Sequence, residues 1–460
     1  MWNRSDTRCG LQTMCSTRFI GMLSAVVALG LLACSQSPVP DTPSPDVVLV
    51  VVDTTRADAM GWAGSQRPTT PHLDKLAAES TWFSRAYAAS SWTLPSMATL
   101  LTGEMPWVHG AVREPTDPNV FGKLDPEILT LASRMKAAGY RTGAFVNNNY
   151  LAPEFGLHRG FDTYDYEGAE PVDHRSAATT VNKALEWLNA SEEPAFLLVH
   201  VLEPHMDYQV PEPFKGRFTE GLPHTLELPV TAHLPRALAL RKMDISENDR
   251  VYLRAAYDEE VLTADAALGT LVEGLRAREN WAQTRLALTS DHGEEFWDHG
   301  HFEHGHSLFS ELTRVPLVLK LPGAPTGENP TIVEHASLPE LLATSEGWLA
   351  DLTRSGLHDK TRMAISEGIL YGSPQASITS ETLRLVVELD NKSLTLWPLD
   401  ENGVEPALSS IDPAITEAGR PLFQALAQRR GGTEPTPPPR KVAMPEPETF
   451  EQLRALGYVE

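Results

Sequence analysis

The chain has 460 residues, of which 42% are apolar and 22% charged. This composition is typical of a globular protein and excludes disordered, collagen-like and multi-span membrane chains, and the length fits one large or two unequal domains. The 38 Lys and Arg against 61 Asp and Glu leave a formal net charge of −23. A surface of that sign does not attract nucleic acid or an anionic membrane, so an anionic substrate needs a local positive site such as a metal ion.

The start of the chain, residues 1–33, is predicted to be a signal peptide rather than part of the fold. Arg4, Arg8 and Arg18 form a basic region, and an apolar run then ends at a small residue before Cys34. The apolar run is too short and too one-sided to predict a membrane-spanning helix.

The cysteine that ends this segment is the expected site of lipidation, because Leu31-Leu-Ala-Cys34 resembles the lipobox of bacterial lipoproteins. Residues 34–45 are rich in Pro and Ser and are predicted to tether a lipid anchor to the folded domain. We therefore expect a protein of the bacterial cell envelope, at the outer membrane or the periplasmic face, that contacts the membrane through its lipid alone. The alternative is an ordinary secretory signal with an incidental cysteine. The three cysteines all lie in the first 34 residues, which excludes disulfides from the remainder.

Short apolar, β-branched runs alternate with helical patterns along the body of the chain. Buried strands are predicted at 47–52, 144–146, 195–199, 285–289 and 316–321, and helices at about 72–86, 126–138, 176–190 and 248–278. Continuous apolar strands belong to parallel sheets that helices cover on both faces. The predicted fold is a three-layer α/β/α sandwich with a mostly parallel central sheet over residues 46–345.

The pattern changes after residue 345. Short antiparallel strands are predicted near 362–367, 376–379, 383–389 and 393–398. These strands indicate a smaller C-terminal α+β region over residues 346–430. Residues 431–460 are predicted to form a Pro-rich linker and a terminal helix.

Polar or ionisable residues follow four of the predicted strands directly: Asp53, Asn147, His200, and the pair Asp291 and His292. In open α/β sheets, ligands bind outside the carboxyl ends of the strands, so these side chains are expected at one crevice. The alternative for each Asp or Asn is a simple turn-forming role.

A hydroxyl group stands at the start of a predicted helix that runs from Thr93 to Gly103. As the helix N-cap, Thr93 would face free backbone N–H groups and the positive end of the helix dipole, which suit a tetrahedral anion or an alkoxide. The alternative is a Thr that only caps the helix.

The segment after the strand 285–289 is rich in histidine. Five histidines fall between residues 292 and 306, beside Asp291. Asp and His together suit a divalent ion of the zinc or manganese kind, and the place directly after a buried strand favours a metal site over a solvated loop.

Several short motifs stand in order along the chain: Val50-Val-Val-Asp53-Thr-Thr-Arg56, Thr70-Pro-His72-Leu-Asp74, Pro95-Ser96, Leu100-Leu-Thr-Gly103, Glu203-Pro-His205, Ser290-Asp-His-Gly-Glu294, Arg314-Val-Pro316 and Leu453-Arg-Ala-Leu-Gly-Tyr458. As an ordered set they resemble the sulfatase family of the alkaline phosphatase superfamily. The resemblance covers residues 46–345 well and the C-terminal region loosely.

The resemblance implies a site for one divalent metal ion. Asp53, Asp291 and His292 match metal ligands, and Thr93 stands at the position of the nucleophile, which also binds the metal. His292 replaces the Asn or Gln common in calcium-dependent sulfatases. Thr54 stands where the family usually has the second Asp of an Asp-Asp pair. This exchange favours zinc or manganese over calcium or magnesium.

Three further residues match substrate-binding positions of the family. His205 and His304 match residues that contact the substrate anion or protonate the leaving group, and Asn147 falls near a substrate-binding Lys of many members. The expected partner is an anionic ester substrate. The remaining histidines of the rich segment are expected to be structural: His299, His301 and His306.

The nucleophile motif departs from that of true sulfatases. Those enzymes carry Cys or Ser inside Cys/Ser-x-Pro-x-Arg and oxidise it to formylglycine, whereas this chain reads Thr93-Leu-Pro-Ser-Met97. The departure resembles the branch that uses Thr directly. The expected activity is metal-dependent hydrolysis of a phosphate or phosphonate ester through Thr93. The alternatives are a sulfuric ester hydrolase that works without formylglycine and a non-catalytic, anchored binding lipoprotein.

Overall fold

A computed structural model describes residues 45–114, 117, 119–168, 174–229, 244–343, 363–406, 415–431, 442–443 and 446–455. The predicted signal peptide, the lipidation site Cys34 and nearly all of the tether lie outside these residues. The described residues belong to one compact unit, Pro43–Glu460. Within them, none of the helices combines the length and the apolar character that a membrane crossing requires.

The helices in chain order are α1 Pro71–Ala78, α2 Thr93–Thr102, α3 Pro106–His109, α4 Leu131–Ala137, α5 Ala177–Asn189, α6 Glu247–Arg276, α7 Ser310–Thr313, α8 Leu338–Ala343, α9 Ile415–Arg429 and α10 Pro447–Ala455. The strands are β1 Val47–Val52, β2 Thr81–Phe83, β3 Ala86–Tyr87, β4 Phe121–Gly122, β5 Arg141–Asn147, β6 Thr163–Glu167, β7 Ala195–Val201, β8 Arg285–Thr289, β9 Glu295–Phe296, β10 Phe302–Glu303, β11 Arg314–Val315, β12 Leu317–Lys320, β13 Gly327–Asn329, β14 Val333–Glu334, β15 Ala364–Glu367, β16 Gln375–Thr379, β17 Leu383–Glu388, β18 Leu394–Pro398 and β19 Val442–Ala443.

The central sheet has eight strands in the order β13-β2-β12-β8-β1-β7-β5-β6. β1 lies in the middle and pairs in parallel with β7 and β8, and β5 continues the parallel pairing to β6. β12 is antiparallel to β8 and β2. The parallel run therefore brings the carboxyl ends of β5, β7, β1 and β8 to one edge of the sheet.

Helices cover both faces of this sheet. The odd-numbered positions of β1 pack in one apolar core with α2, α4 and α8, and the even-numbered positions pack in a second core with α1, α5 and α6. Because side chains alternate along a strand, a fully apolar strand supplies both cores. The three-layer α/β/α sandwich expected from the sequence is confirmed.

The C-terminal region forms a smaller antiparallel sheet, in the order β15-β16-β17-β18, with α9 packed against it. Its first strand is bonded to the chain just before α2: the amide of Glu367 donates to the carbonyl of Ala89 at 2.7 Å, and Ser90 Oγ donates to the carbonyl of Gly368 at 2.6 Å. The small sheet therefore borders the start of α2.

Two predicted helices are longer than the observed ones. The helix predicted over about 126–138 begins only at Leu131, as α4. The pattern predicted a helix over about 72–86, but α1 ends at Ala78 and residues Thr81–Phe83 form β2. The β-branched and aromatic side chains of this segment favour a strand, and β2 pairs with both β12 and β13. Tertiary pairing therefore decided where the helix ends.

Candidate active site

Three buried ligand groups meet where the central strands end. Asp53 follows β1, Asp291 follows β8 by two residues, and His200 lies in β7 beside Val51 of β1. One ligand atom from each of the three lies within 4.8 Å of the others. None of these side chains is exposed. His200 was recognised from its strand, but it was not placed among the predicted metal ligands.

This group fits a metal cation. Asp53 Oδ1 and Asp291 Oδ2 are buried and have no hydrogen-bond partner in the described part of the chain. Burying such oxygens costs free energy unless a donor or a cation compensates. Burial, together with the Asp291 carboxylate, raises the pKa of Asp53 well above its ordinary value. Burial lowers the pKa of His200 to about 4, which leaves the neutral imidazole that metals bind.

Thr93 is the first residue of α2, and its hydroxyl faces the same cluster. The predicted N-cap role is wrong, because the N-cap is Trp92 and Thr93 already has helical geometry. Thr93 Oγ1 lies 3.3 Å from His292 Nε2 and accepts a hydrogen bond from Asn148 Nδ2 at 3.3 Å. Thr93 is 2% exposed.

His292 presents one defined ring nitrogen to the cluster. Its Nδ1 lies 3.0 Å from the carbonyl of Gly293, so Nδ1 carries the hydrogen and Nε2 keeps its lone pair. Nε2 lies 3.3 Å from Asp291 Oδ2 and 3.8 Å from Asp53 Oδ1. The sequence-predicted ligands Asp53, Thr93, Asp291 and His292 are therefore brought together, and His200 joins them.

The predicted substrate residue Asn147 turns away from the cluster, and its neighbour takes that place. Asn147 Nδ2 donates to the carbonyl of Arg175 at 2.5 Å, and its oxygen accepts bonds from Arg175 and Thr180. Asn148 Nδ2 instead donates to Asp53 Oδ2 at 2.7 Å and to Thr93. The physical reason is alternation, because Asn147 is the last residue of β5 and faces the α5 side.

The other two predicted substrate residues lie beside the cluster. The ring centroids of His205 and His304 are 5.2 Å apart, and the ring centroids of His292 and His304 are 4.5 Å apart. Burial lowers the pKa of both His205 and His304, because it disfavours the charged imidazolium. His205 Nδ1 lies 2.7 Å from the carbonyl of Met206, and His304 Nδ1 lies 3.0 Å from Glu294 Oε1.

Two of the remaining histidines of the rich segment, His299 and His306, bond to buried carboxylates. His299 Nδ1 lies 2.7 Å from Glu311 Oε1, and its ring stacks on Phe309. His306 Nε2 lies 2.7 Å from Glu295 Oε2. These contacts fit the structural role that the sequence predicted for them.

The loops that carry the cluster are tied to each other. Ser96 of α2 donates to the carbonyl of Asp291 at 2.5 Å, which joins the Thr93 helix to the turn that carries Asp291 and His292. The amide of Thr54 donates to Asp291 Oδ1 at 3.2 Å, and Thr54 has the left-handed φ of +50°. A β-branched residue in that conformation is strained, which is characteristic of sites held by their surroundings.

Comparison with known proteins identifies the family. The sequence profile of the family described as Sulfatase matches residues 45–345, well over half of the chain. The chain belongs to the sulfatase family. The family predicted from the ordered motifs is thereby confirmed.

Curated relatives of this family member are distant in sequence. An ulvan-active sulfatase of Formosa agariphila is 24% identical over 364 residues, covering 71% of this chain and 66% of the relative. Human iduronate 2-sulfatase is 25% identical over 371 residues, covering 69% of this chain and 64% of the relative. The chain thus spans about two thirds of the length of these relatives.

Solved structures share the fold of this sulfatase-family chain. A phosphonate monoester hydrolase of Agrobacterium radiobacter superposes with a TM-score of 0.67 at 20% identity, over 84% of this chain and 96% of that structure. A putative sulfatase of Bacteroides thetaiotaomicron superposes with a TM-score of 0.67 at 17% identity, over 88% and 96%. The fold is therefore shared by proteins named for two kinds of ester.

Proposed function

We propose that this chain is a metal-dependent hydrolase of a phosphate or phosphonate ester and that Thr93 is its nucleophile. The observation that carries the proposal is the position of Thr93 Oγ1, at the start of α2 and within 3.3 Å of both His292 Nε2 and Asn148 Nδ2. In true sulfatases an Arg at this position of the motif supports the formylglycine. Here the position is held by Met97, which is buried in the apolar core. The Thr hydroxyl is thus offered without the groups that formylglycine chemistry requires.

Asp53, Asp291, His292 and His200 would hold one divalent cation, zinc or manganese by the chemistry of two carboxylates and two imidazoles. Such an ion lowers the pKa of a bound hydroxyl and stabilises negative charge on the ester oxygens. The protein's own groups fix the geometry. Asn148 Nδ2 orients the Thr93 hydroxyl, and the first amides of α2 face an anion bound at that helix end.

In the proposed reaction, Thr93 Oγ1 gives up its proton to solvent and attacks phosphorus as the alkoxide, in line with the leaving oxygen. Nε2 of His304 or of His205, protonated once the substrate anion is bound beside the ring, donates its proton to that oxygen, and the alcohol departs. A water molecule then attacks the phosphoryl or phosphonyl ester on Thr93, its proton returns to the imidazole, and Thr93 Oγ1 leaves as the alkoxide. Buried walls around the cluster exclude other water, since the ligand residues and Thr93 are at most 2% exposed.

The sulfatase names of the relatives support a second candidate, a sulfuric ester hydrolase. Thr93 and Met97 weigh against the usual sulfatase chemistry, because the conversion to formylglycine acts on Cys or Ser. A sulfuric ester hydrolase of this sequence would have to work without formylglycine. The titles of two structural neighbours name phosphonate monoester hydrolases, which supports the first candidate. We further propose that the chain is anchored in the bacterial cell envelope through Cys34. This proposal is supported by the lipobox-like sequence Leu31-Leu-Ala-Cys34 alone.

The test compares aryl phosphate monoesters, aryl phosphodiesters, an aryl phosphonate ester and an aryl sulfate with the purified protein after zinc or manganese addition. Phosphorus-ester turnover is expected, with loss of about 10³-fold or more in Thr93→Ala and partial retention in Thr93→Ser. Acid-quenched enzyme should carry the covalent adduct on the peptide that contains Thr93. A preference for sulfate, or turnover that survives Thr93→Ala, would contradict the proposal.

A further inference from the structure

A buried carboxyl group lies behind one of the two candidate proton donors. Glu294 Oε1 is 3.0 Å from His304 Nδ1, and Glu294 has no exposed surface. The sequence placed Glu294 in a family motif but gave it no role. We propose that Glu294 is a positioning residue for His304: it holds the Nδ1 edge of the ring and leaves Nε2 for the oxygen that departs. This inference rests on the proposed function.

The backbone at Glu294 is fixed from several sides. Its carbonyl accepts a bond from Arg56 Nη1 at 2.8 Å, and Arg56 is itself buried between Asp58 and Asp298. The preceding Gly293 passes so close to another loop that a Cβ atom there would meet the carbonyl oxygen of Glu311 at 2.0 Å. The backbone that carries the carboxyl group is therefore held by packing rather than by the bond to His304.

The backbone at His304 is constrained as well. Both neighbours have left-handed φ angles, +72° at Glu303 and +79° at Gly305. The carbonyl of Gly305 accepts bonds from the amides of Leu370 and Tyr371 at 2.6 and 2.8 Å. A non-glycine residue held at positive φ costs about 1 kcal/mol and persists where surrounding contacts impose it. The constrained backbone on both sides of His304 therefore restricts where its imidazole ring can lie.

The bond at Nδ1 decides which ring atom remains for chemistry. A histidine has two ring nitrogens, and a partner on one of them fixes the ring's orientation and its role. With Nδ1 bonded to Glu294, Nε2 is the nitrogen through which the ring can act on a substrate, and the His292 ring lies beside it with 4.5 Å between the ring centroids. Without the carboxyl group, the ring would rotate, and the proton would reach the leaving oxygen less often.

The neighbouring residue offers a matched control. Glu295 is also buried, and its Oε2 lies 2.7 Å from His306 Nε2. The ring of His306 stacks on His301 at 4.7 Å rather than on a residue of the cluster. The two consecutive Glu–His pairs have the same chemistry, and only the first pair contacts the proposed site.

The experiment measures kcat/KM for aryl phosphonate or methyl aryl phosphate esters whose leaving phenols span weak to strong acids. A lost proton donor matters most for poor leaving groups. Glu294→Leu and His304→Ala should both steepen this dependence, with a loss of about 10-fold or more for the phenyl ester and less than about twofold for the dinitrophenyl ester. Glu294→Gln, which can still bond to Nδ1, should recover most of the loss, and Glu295→Gln should keep the wild-type slope.

The outcomes separate the inference from the proposed function. If His304→Ala leaves the slope unchanged, the assignment of His304 as proton donor fails. If His304→Ala steepens the slope but Glu294→Leu lowers all esters equally or only lowers the melting temperature, Glu294 is merely structural and this inference is overturned. Should Glu294→Leu fail to fold, Glu294→Asp applies the same test, because it keeps a carboxyl group but withdraws it from His304 by one methylene.

Discussion

Single hydrogen bonds decide which of two adjacent asparagines serves the candidate site. Asn147 and Asn148 are both buried, yet their amides face opposite ways. Asn148 donates to Asp53 and Thr93, whereas Asn147 is bonded to Arg175 and Thr180. Adjacent residues of one type therefore hold separate tasks, one in the site and one in the scaffold.

Substitution of each asparagine by Ala should separate these tasks. Asn148→Ala removes a donor to a buried carboxylate, worth about 1.5–3 kcal/mol, so kcat/KM for the favoured ester should fall about 10- to 100-fold. Asn147→Ala should leave kcat/KM within a few-fold of wild type and lower the free energy of unfolding by about 1–3 kcal/mol, since Arg175 loses a buried partner. Steady-state kinetics and urea unfolding of both variants check this. The reverse pattern would return Asn147 to the site.

At the scale of elements, the long helix α6 fixes the start of α1. Asp265 of α6 accepts the amides of His72 at 3.0 Å and Leu73 at 2.8 Å, in the first turn of α1. Those amides have no partner within their own helix. The same helix carries Tyr257, whose hydroxyl donates to the carbonyl of Thr54 at 3.0 Å, next to the candidate ligand Asp53. α6 thus connects a helix start to the loop that carries Asp53.

The Asp265 contact predicts a pH dependence of stability. Burial raises the pKa of Asp265 to about 7, so between pH 4 and 7 the folded protein binds a proton that the unfolded chain has lost. The contribution of Asp265 to stability therefore falls as the pH rises through this range. Relative to Asp265→Asn, the wild type should lose about 2–3 kcal/mol between pH 5 and pH 8 in urea unfolding. A constant difference between the two proteins over this range would contradict the prediction.

At the scale of the whole molecule, buried charge joins the small C-terminal sheet to the main body. Arg384 of β17 pairs with Glu405 at 2.9 Å, and both side chains are fully buried. Glu405 Oε2 also accepts the amide of Ser310 at the start of α7 at 3.1 Å. The two sheets belong to one compact unit, so the small sheet is expected to unfold together with the body that carries the site.

Glu405→Ala leaves Arg384 as an unpaired buried charge and should lower the free energy of unfolding by about 3–5 kcal/mol. The control is Glu340→Ala, whose partner Arg134 lies at 3.2 Å with Glu340 mostly exposed, and it should cost less than about 1 kcal/mol. Urea unfolding followed by circular dichroism and by activity should give coincident transitions in all three proteins. A separate early transition that spares activity would show that the C-terminal region folds independently.

The sequence by itself determined the layered fold and most of the cluster. Fully apolar strands require helices on both sheet faces, and parallel strands bring their carboxyl ends to one edge, so Asp53 and Asp291 were predictable as neighbours. The order of the motifs determined the family. His200 was visible as a polar residue directly after a predicted apolar strand, which was the available signal for a further ligand.

Only the tertiary structure decided what depends on the direction of a side chain. Asn148 rather than Asn147 reaches the cluster because side chains alternate at the end of β5, and a shift of one residue reverses the face. Glu294 rather than Glu295 meets His304 because Gly293 and Arg56 fix the turn between them. Such choices come from contacts between residues far apart in the chain, and local sequence patterns carry no information about those distances.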